Sequence, residues 1–319
     1  MKAAPAVVLL LVPASLVVAV AFGSVDLGAA RLGDALLFRG DEIAREIVWG
    51  VRAPRALAGF ACGGLLALAG ALLQLLLRNP LADPAILGVS GGAAAGALGA
   101  MLLGAAAAAV NLAALAGAAL AAGAVFAFSL GRSGWNPYRV LLTGVALASG
   151  FGALVGLILS LAPSSQVQGM LFWLLGDLSP AGDPTAALVV LAACAALAFS
   201  QSAALDVLVL GEDKARSLGV AVTRLQGVAF GCATVATVAA VLLGGMIGFV
   251  GLVVPHLLRL SGVHRHALLL PLAACLGGSV LALADTLARS VAAPAELPVG
   301  VFTAMIGVPV LLLLLARLR

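Results

Sequence analysis

Apolar residues run along this chain for helix-spanning lengths, and charged residues are confined to short punctuating segments. No Asp, Glu, Lys or Arg occurs between Asp83 and Arg132, between Arg139 and Asp177, between Asp183 and Asp206, or between Arg224 and Arg259. A helix needs about 20 apolar residues to cross a hydrocarbon core of about 30 Å, so each gap holds one or two crossings. The runs lack the strict alternation that a membrane β-barrel requires, which excludes that architecture. The pattern predicts ten spans, at 5–23, 54–77, 85–104, 109–130, 138–161, 184–202, 225–244, 247–260, 266–288 and 298–316. The eighth is short for a full crossing and is punctuated by Gly244, Gly245 and Pro255, so a bent or discontinuous segment buried among other helices is expected there. The expected fold is all-α, a polytopic ten-span bundle in which residues 1–319 form one domain.

Composition agrees with this pattern, because 63% of the residues are hydrophobic and 9% are charged, against roughly 25% charged in a soluble domain. Lys2 followed by an apolar run that ends in small residues at 21–24 has the outline of a secretion signal. The run is longer than such a signal needs and many spans follow it, so a retained first helix is expected. Positively charged loops stay in the cytoplasm. With both termini inside, the inner side receives Lys2, Arg78, Arg132, Arg139, Lys214, Arg216, Arg224, Arg259, Arg265, Arg317 and Arg319. That is 11 of the 17 basic and 4 of the 13 acidic residues, net +7, against 6 and 9 outside, net −3. The global charge of +4 is thus a topology signal and not a nucleic-acid footprint.

Small residues recur four apart at Gly59/Gly63, Gly88/Gly92/Gly96, Gly152/Gly156 and Gly244/Gly248. This spacing lets helices approach closely in lipid and predicts tight packing within one bundle more readily than a dedicated dimer motif. Cys62, Cys194, Cys232 and Cys275 all lie in apolar segments without a CxxC pair, and read as small packing residues. His256, His264 and His266 cluster late in the chain but lack partners at metal-ligand spacing. No metal, cofactor or catalytic residue is expected. The two lysines, Lys2 and Lys214, stand outside any GxxxxGK[ST] motif, so the chain cannot hydrolyse ATP by a P-loop mechanism on its own. An ion-coupled secondary transporter is the alternative reading, but it needs ionisable groups within its spans. Asp285 is the carboxylate embedded toward a helix end, and Arg289 four residues on predicts a helical ion pair.

Residues 52–92 read RAPRALAGFACGGLLALAGALLQLLLRNPLADPAILGVSGG, and later segments read LGEDKARSLGV at 210–220, GFVGLVVPHLLRLSGVHR at 248–265, and ADTLAR and AAPAELPVGV toward the end. Over essentially the whole chain, and in order, this resembles the FecCD family of ABC permeases, which includes vitamin B12, haem and iron-siderophore importers. The resemblance implies a non-catalytic permease half, a homodimer in a bacterial inner membrane, two ABC ATPase subunits and a periplasmic substrate-binding protein, working by alternating access on a metal chelate. Glu212, Asp213, Lys214, Ala215, Arg216 and Gly219 would form the helix that couples to the ATPase, although a solvated connector has the same composition. Arg52, Arg55 and Arg289 would dock glutamates of the binding protein, while interfacial snorkelling explains the same arginines without a partner. Asn79 and Leu81 in the NPLADP turn, with Pro137 and Tyr138, would close the cytoplasmic exit, a role that a purely structural turn rivals. Tyr138, the one tyrosine, departs from the smaller hydroxyl residues common at such gates. Residues 163–183, with Phe172, Trp173 and Asp177, would face the incoming ligand. Siderophore, haem and cobalamin are not separated at this level.

Overall fold

A computed structural model describes residues 3–131, 134–179 and 182–316. Lys2, Arg132, Arg317 and Arg319 of the inward basic set lie outside the described residues. The described chain is helical almost throughout: α1 (Ala3–Ala21), α2 (Ala29–Leu36), α3 (Glu42–Arg45), α4 (Ala53–Leu76), α5 (Val89–Leu102), α6 (Ala107–Ser129), α7 (Pro137–Leu161), α8 (Ser164–Leu175), α9 (Thr185–Ser200), α10 (Ser202–Leu208), α11 (Glu212–Ser217), α12 (Val222–Gly244), α13 (Val250–Leu260), α14 (His266–Ser290) and α15 (Val299–Ala316). A π-helical stretch, Glu46–Arg52, joins α3 to α4, and a 3₁₀ turn, Pro84–Leu87, precedes α5. Two-residue strands, Leu130–Gly131 and Gly134–Trp135, pair antiparallel between α6 and α7.

Each apolar run read from the sequence is helical, but the runs differ in length. Five helices are long and apolar enough to cross a membrane: 42–76, α6, α7, α12 and α14; the α9–α10 pair, bent by 59°, makes a sixth. Four further apolar stretches are shorter: Pro5–Ala21 of α1, α5, α13 and Val299–Leu313 of α15. Backbone breakers explain two of these. Pro84 and Gly88 (φ 74°) delay the start of α5, and Gly104 (φ 70°) ends it. Gly245 (φ 68°) and Phe249 (φ 69°) interrupt the chain between α12 and α13, where the sequence predicts a discontinuity. The helix α8 has no counterpart among the predicted elements. Its twelve residues fold back after α7, and its end is held where Met246 N–H donates to the Trp173 carbonyl and Asp177 N–H to the Gly244 carbonyl (2.9 Å).

The core is built around α4, in which every residue from Ala61 to Gln74 is buried. Its sequence alternates leucines with alanine and glycine, so it presents both bulk and close-approach surface to α1, α9, α12, α13 and α14. A Cβ on Gly63 would sit 2.2 Å from the Gly277 carbonyl oxygen, and one on Gly277 would sit 2.5 Å from that of Gly63. The antiparallel α4–α14 pair is therefore in backbone contact, the arrangement that small residues permit in lipid. Gly70 stands against Gly251 of α13 in the same way, at 1.9 Å. Gly92 and Gly96 of α5 meet Gly117 and Ala113 of α6. The predicted pair Gly152/Gly156 behaves differently, since neither position has an atom within 4 Å. Only 11% of the most apolar stretch of α7 is buried, against 89% for 42–76.

Candidate functional site

The chemistry-bearing residues gather at the two ends of the α4 axis. At one end, Gly211 (φ 109°) and Gly219 (φ 83°) bracket α11. Both backbone conformations favour glycine, and they break the chain on each side of a six-residue helix. Ala215 is fully buried under α11, and Val220 N–H closes the helix end on its carbonyl (3.0 Å). Glu212 fixes the helix to the bundle: its carboxylate accepts from Gln226 Nε2 at 3.0 Å and from Arg216 Nη2 at 3.3 Å, and lies 3.6 Å from Arg78 Nη2. Asp213, Lys214, Arg216 and Leu218 are left facing solvent. Five of the six residues read as a coupling element thus lie on one short helix, with Glu212 and Ala215 as its root and Asp213, Lys214 and Arg216 as its outer surface, and the sixth, Gly219, turns the chain just after it. The sequence could not foresee the roles of Gln226 and Arg78, because each reaches Glu212 across a turn of tertiary structure.

At the opposite end the outer-face arginines are arranged unlike the sequence expectation. Arg52, Arg55 and Arg289 are 3%, 6% and 3% exposed, so none presents a guanidinium to a partner in this conformation. Arg55 grips Asp285 with two nitrogens, Nε at 3.0 Å and Nη2 at 2.9 Å, and reaches Glu296 with Nη1 at 2.6 Å. Arg289 lies 3.5 Å from Asp285 and donates to the Ala19 carbonyl; Arg52 donates to the carbonyls of Val20, Ala21 and Val25. The helical pair predicted between Asp285 and Arg289 is present, but the principal partner of Asp285 is Arg55. The physical reason for the burial is that α1 ends beside these arginines. The free carbonyls of its last turn need donors, and Gly23 leaves the space that Arg52 and Arg289 occupy. Burial works against the charge of Glu296, yet the Arg55 guanidinium and the Ser179 hydroxyl (2.9 Å) hold its carboxyl below the usual range.

The residues read as a cytoplasmic gate sit in two separate segments, the turn after α4 and the start of α7. Asn79 Oδ1 accepts from Leu81 N–H (2.9 Å) and rigidifies the turn after α4. Asn136 caps α7 by accepting from Tyr138 N–H (3.0 Å) and Arg139 N–H, which leaves Tyr138 79% exposed and Pro137 in the first turn. Among the described residues no hydrogen bond joins the two pairs. The turn is instead anchored inward: Asp83 is buried and caps the 3₁₀ turn through Ala85 N–H (2.8 Å). Burial pushes the Asp83 carboxyl up, against the backbone N–H groups of Ala85 and Phe249 that pull it down. On α8, Phe172 and Trp173 line a cavity of about 440 Å³ with Met101, Ser165, Gln168 and Asp177.

This arrangement has relatives among known proteins. The sequence model of the FecCD transport family matches residues 9–317. A cobalamin import system permease protein from Halobacterium salinarum is 41% identical over 284 residues, covering 88% of this chain and 76% of the relative. A vitamin B12 import system permease protein from Shigella boydii is 39% identical over 293 residues, covering 90% and 88%. Among solved structures, an inward-facing conformation of a transporter assigned to the metal-chelate ABC type superposes with a TM-score of 0.85 at 28% identity, over 99% of both chains. A second, PsaBC from Streptococcus pneumoniae, reaches a TM-score of 0.53 at 17% identity and shows likeness of fold alone.

Proposed function

The chain belongs to the FecCD transport family, and from that premise we propose that it is the permease subunit of an ATP-binding-cassette importer for a metal chelate. The observation that carries this reading is α11, a helix rooted by Glu212 and Ala215 with a charged outer surface, in a chain that has no P-loop of its own. A rigid handle of this kind lets a separate ATPase push on the bundle without touching the substrate. We place the chain in a bacterial inner membrane with ten crossings, the shorter helices α1, α5, α13 and α15 crossing together with the longer ones. A homodimer, two ATPase subunits and a periplasmic binding protein complete the assembly, and the open face of α7 is available to the second copy.

Transport then proceeds by alternating access. The loaded binding protein docks at the outer end, the substrate enters past the α8 cavity with Phe172, Trp173 and Asp177, and ATP-driven movement of α11 is transmitted through α10 and α12. The Asn79–Leu81 turn and the Pro137–Tyr138 helix start close the inner exit. Arg52, Arg55 and Arg289 support docking by holding the outer rim in shape, with Glu296 as its partly exposed carboxylate. An ion-coupled carrier would need a buried carboxylate free to titrate. Asp285 is occupied by Arg55 and Arg289, and Asp83 by its own turn. The test is uptake by vesicles that contain the permease and its ATPase, supplied with the binding protein and with cobalamin, haem or a ferric siderophore. ATP-dependent uptake of one of these is expected, and it names the substrate. Uptake driven by an ion gradient without ATP would overturn the reading.

A further inference from the structure

A cleft of about 370 Å³ lies at the inward end of α4, between the end of α10 and the α13–α14 connection. Its polar wall holds Arg78, Arg259, His264 and His266, and its apolar wall Leu75 and Leu208. Arg259, near the end of the apolar helix α13, is partly buried, donates one N–H group to Gln74 Oε1, and has no carboxylate within ion-pair distance among the described residues. The guanidinium carries five donors, so most of them are left without a protein partner and open to the cleft. His266 is 3% exposed; its Nδ1 lies 2.6 Å from Asp206, and its Nε2 is buried without a hydrogen-bond partner among the described residues. Two acidic groups face this region. Asp206 is engaged with the ring and backbone N–H of His266, and Glu212 lies 3.6 Å from Arg78 and accepts from Gln226 and Arg216.

We propose that this cleft binds a phosphoryl group at the cytoplasmic membrane surface, either the headgroup of an anionic lipid or inorganic phosphate. A planar guanidinium with free donors and a second arginine at the rim suit phosphate oxygens. Leu75, Leu208 and the exposed Val209 give the same cleft an apolar side. Basic pockets between helices on the cytoplasmic side are a recurrent form of lipid headgroup site. The cleft also borders Asn79 and Pro80 of the turn assigned above to the inner gate; the proposal rests on the membrane orientation of the chain, and it is tested by a lipid-binding readout that transport does not enter.

The test uses the purified full chain, delipidated in a neutral detergent, with native mass spectrometry to count bound lipid. Dioleoylphosphatidylglycerol is expected to be retained over dioleoylphosphatidylcholine. Arg78→Gln and Arg259→Gln are each expected to lower that retention roughly fivefold, the worth of one basic residue at a lipid phosphate. Arg259→Gln also releases Gln74, so the rim variants Arg78→Gln and His264→Gln, with melting temperatures measured alongside, separate lost binding from lost folding. Sodium phosphate at constant ionic strength then identifies the source. Displacement of the lipid means that both sources share the site, failure to displace makes the lipid the ligand, and binding of phosphate without lipid makes it free phosphate. Equal retention of the two lipids with no effect of phosphate, or lipid retention unchanged in every variant, would overturn the proposal. So would a cleft that is occupied only after the ATPase subunit is added.

Discussion

The two ends of α4 carry charged clusters of similar size, and they use their charge in opposite ways. At the outer end Arg52, Arg55 and Arg289 are buried and turn inward, onto Asp285, Glu296 and the last carbonyls of α1. At the inner end Asp213, Lys214 and Arg216 stand on a short helix and face out, with Glu212 and the buried Ala215 tying it down. The outer cluster holds three helices together; the inner one offers a surface. Both read as docking elements in the sequence, because arginine at a helix end looks alike whether its partner is a neighbouring helix or another protein. The difference teaches that α1, α4 and α14 are tied together at one end of α4, while the other end leaves a short charged helix open to a partner, as the proposed coupling requires.

The largest expected effect breaks the outer lock. Removing one partner of a buried pair leaves an uncompensated charge and costs about 3–5 kcal/mol. Asp285→Ala is therefore expected to lower the melting temperature of the detergent-purified chain sharply, while Arg55→Met with Asp285→Leu recovers most of the loss. If Asp285→Ala melts like the parent, the cluster is not a lock, and its arginines are free to meet a partner.

Packing gives the next contrast. An alanine at Gly70 would put a methyl group 1.9 Å from the Gly251 carbonyl oxygen. Overpacking of that kind costs about 1–3 kcal/mol. Gly152→Ala on the open face of α7 meets no atom within 4 Å, and is expected to leave the melting of the single chain unchanged. Crosslinking of a cysteine at position 152 to a second copy would show whether that face is a subunit contact or a lipid surface. Equal destabilisation by both alanine changes would contradict the packing described for α4.

Much of this was legible in the apolar pattern. The helices, the break near Gly244 and Gly245, and the family motifs all follow from local sequence. The partner of Asp285 did not, because Arg55 is 230 positions away and the visible candidate, Arg289, was four. The π-helical stretch before α4 and the helix α8 were also hidden. The first packs against α2 and α3, the second against α5 and α15 with hydrogen bonds at the end of α12. Small-residue spacing gave the right surfaces at Gly63 and Gly92 but could not tell them from Gly152. Only the position of a neighbouring backbone makes that distinction.

A smaller effect comes from Glu296, whose pKa in the folded chain is lowered. A carboxylate of that kind adds stability above its unfolded pKa and loses it as pH falls through the folded value. The melting difference between the parent and Glu296→Gln is expected to be greatest near neutral pH and to shrink as pH drops through the ordinary glutamate range. A difference that grows on acidification would mean that burial, and not Arg55, governs this group.

The smallest change in stability should accompany the clearest change in function. Lys214→Glu with Arg216→Glu replaces one i, i+4 pair, worth about 0.3–0.5 kcal/mol, by a like-charge pair of similar cost, so melting should move little. Glu212, Gln226 and Ala215 still root the helix, and its outer surface alone changes sign. If that surface is where the ATPase takes hold, ATPase stimulation by the permease should be lost while the chain folds and inserts normally. An unaltered response would mean that the handle is gripped through its apolar residues, Leu218 being 64% exposed, or that the force enters elsewhere. Leu218→Asp in the same assay separates these, because it leaves the charges in place and removes the apolar contact.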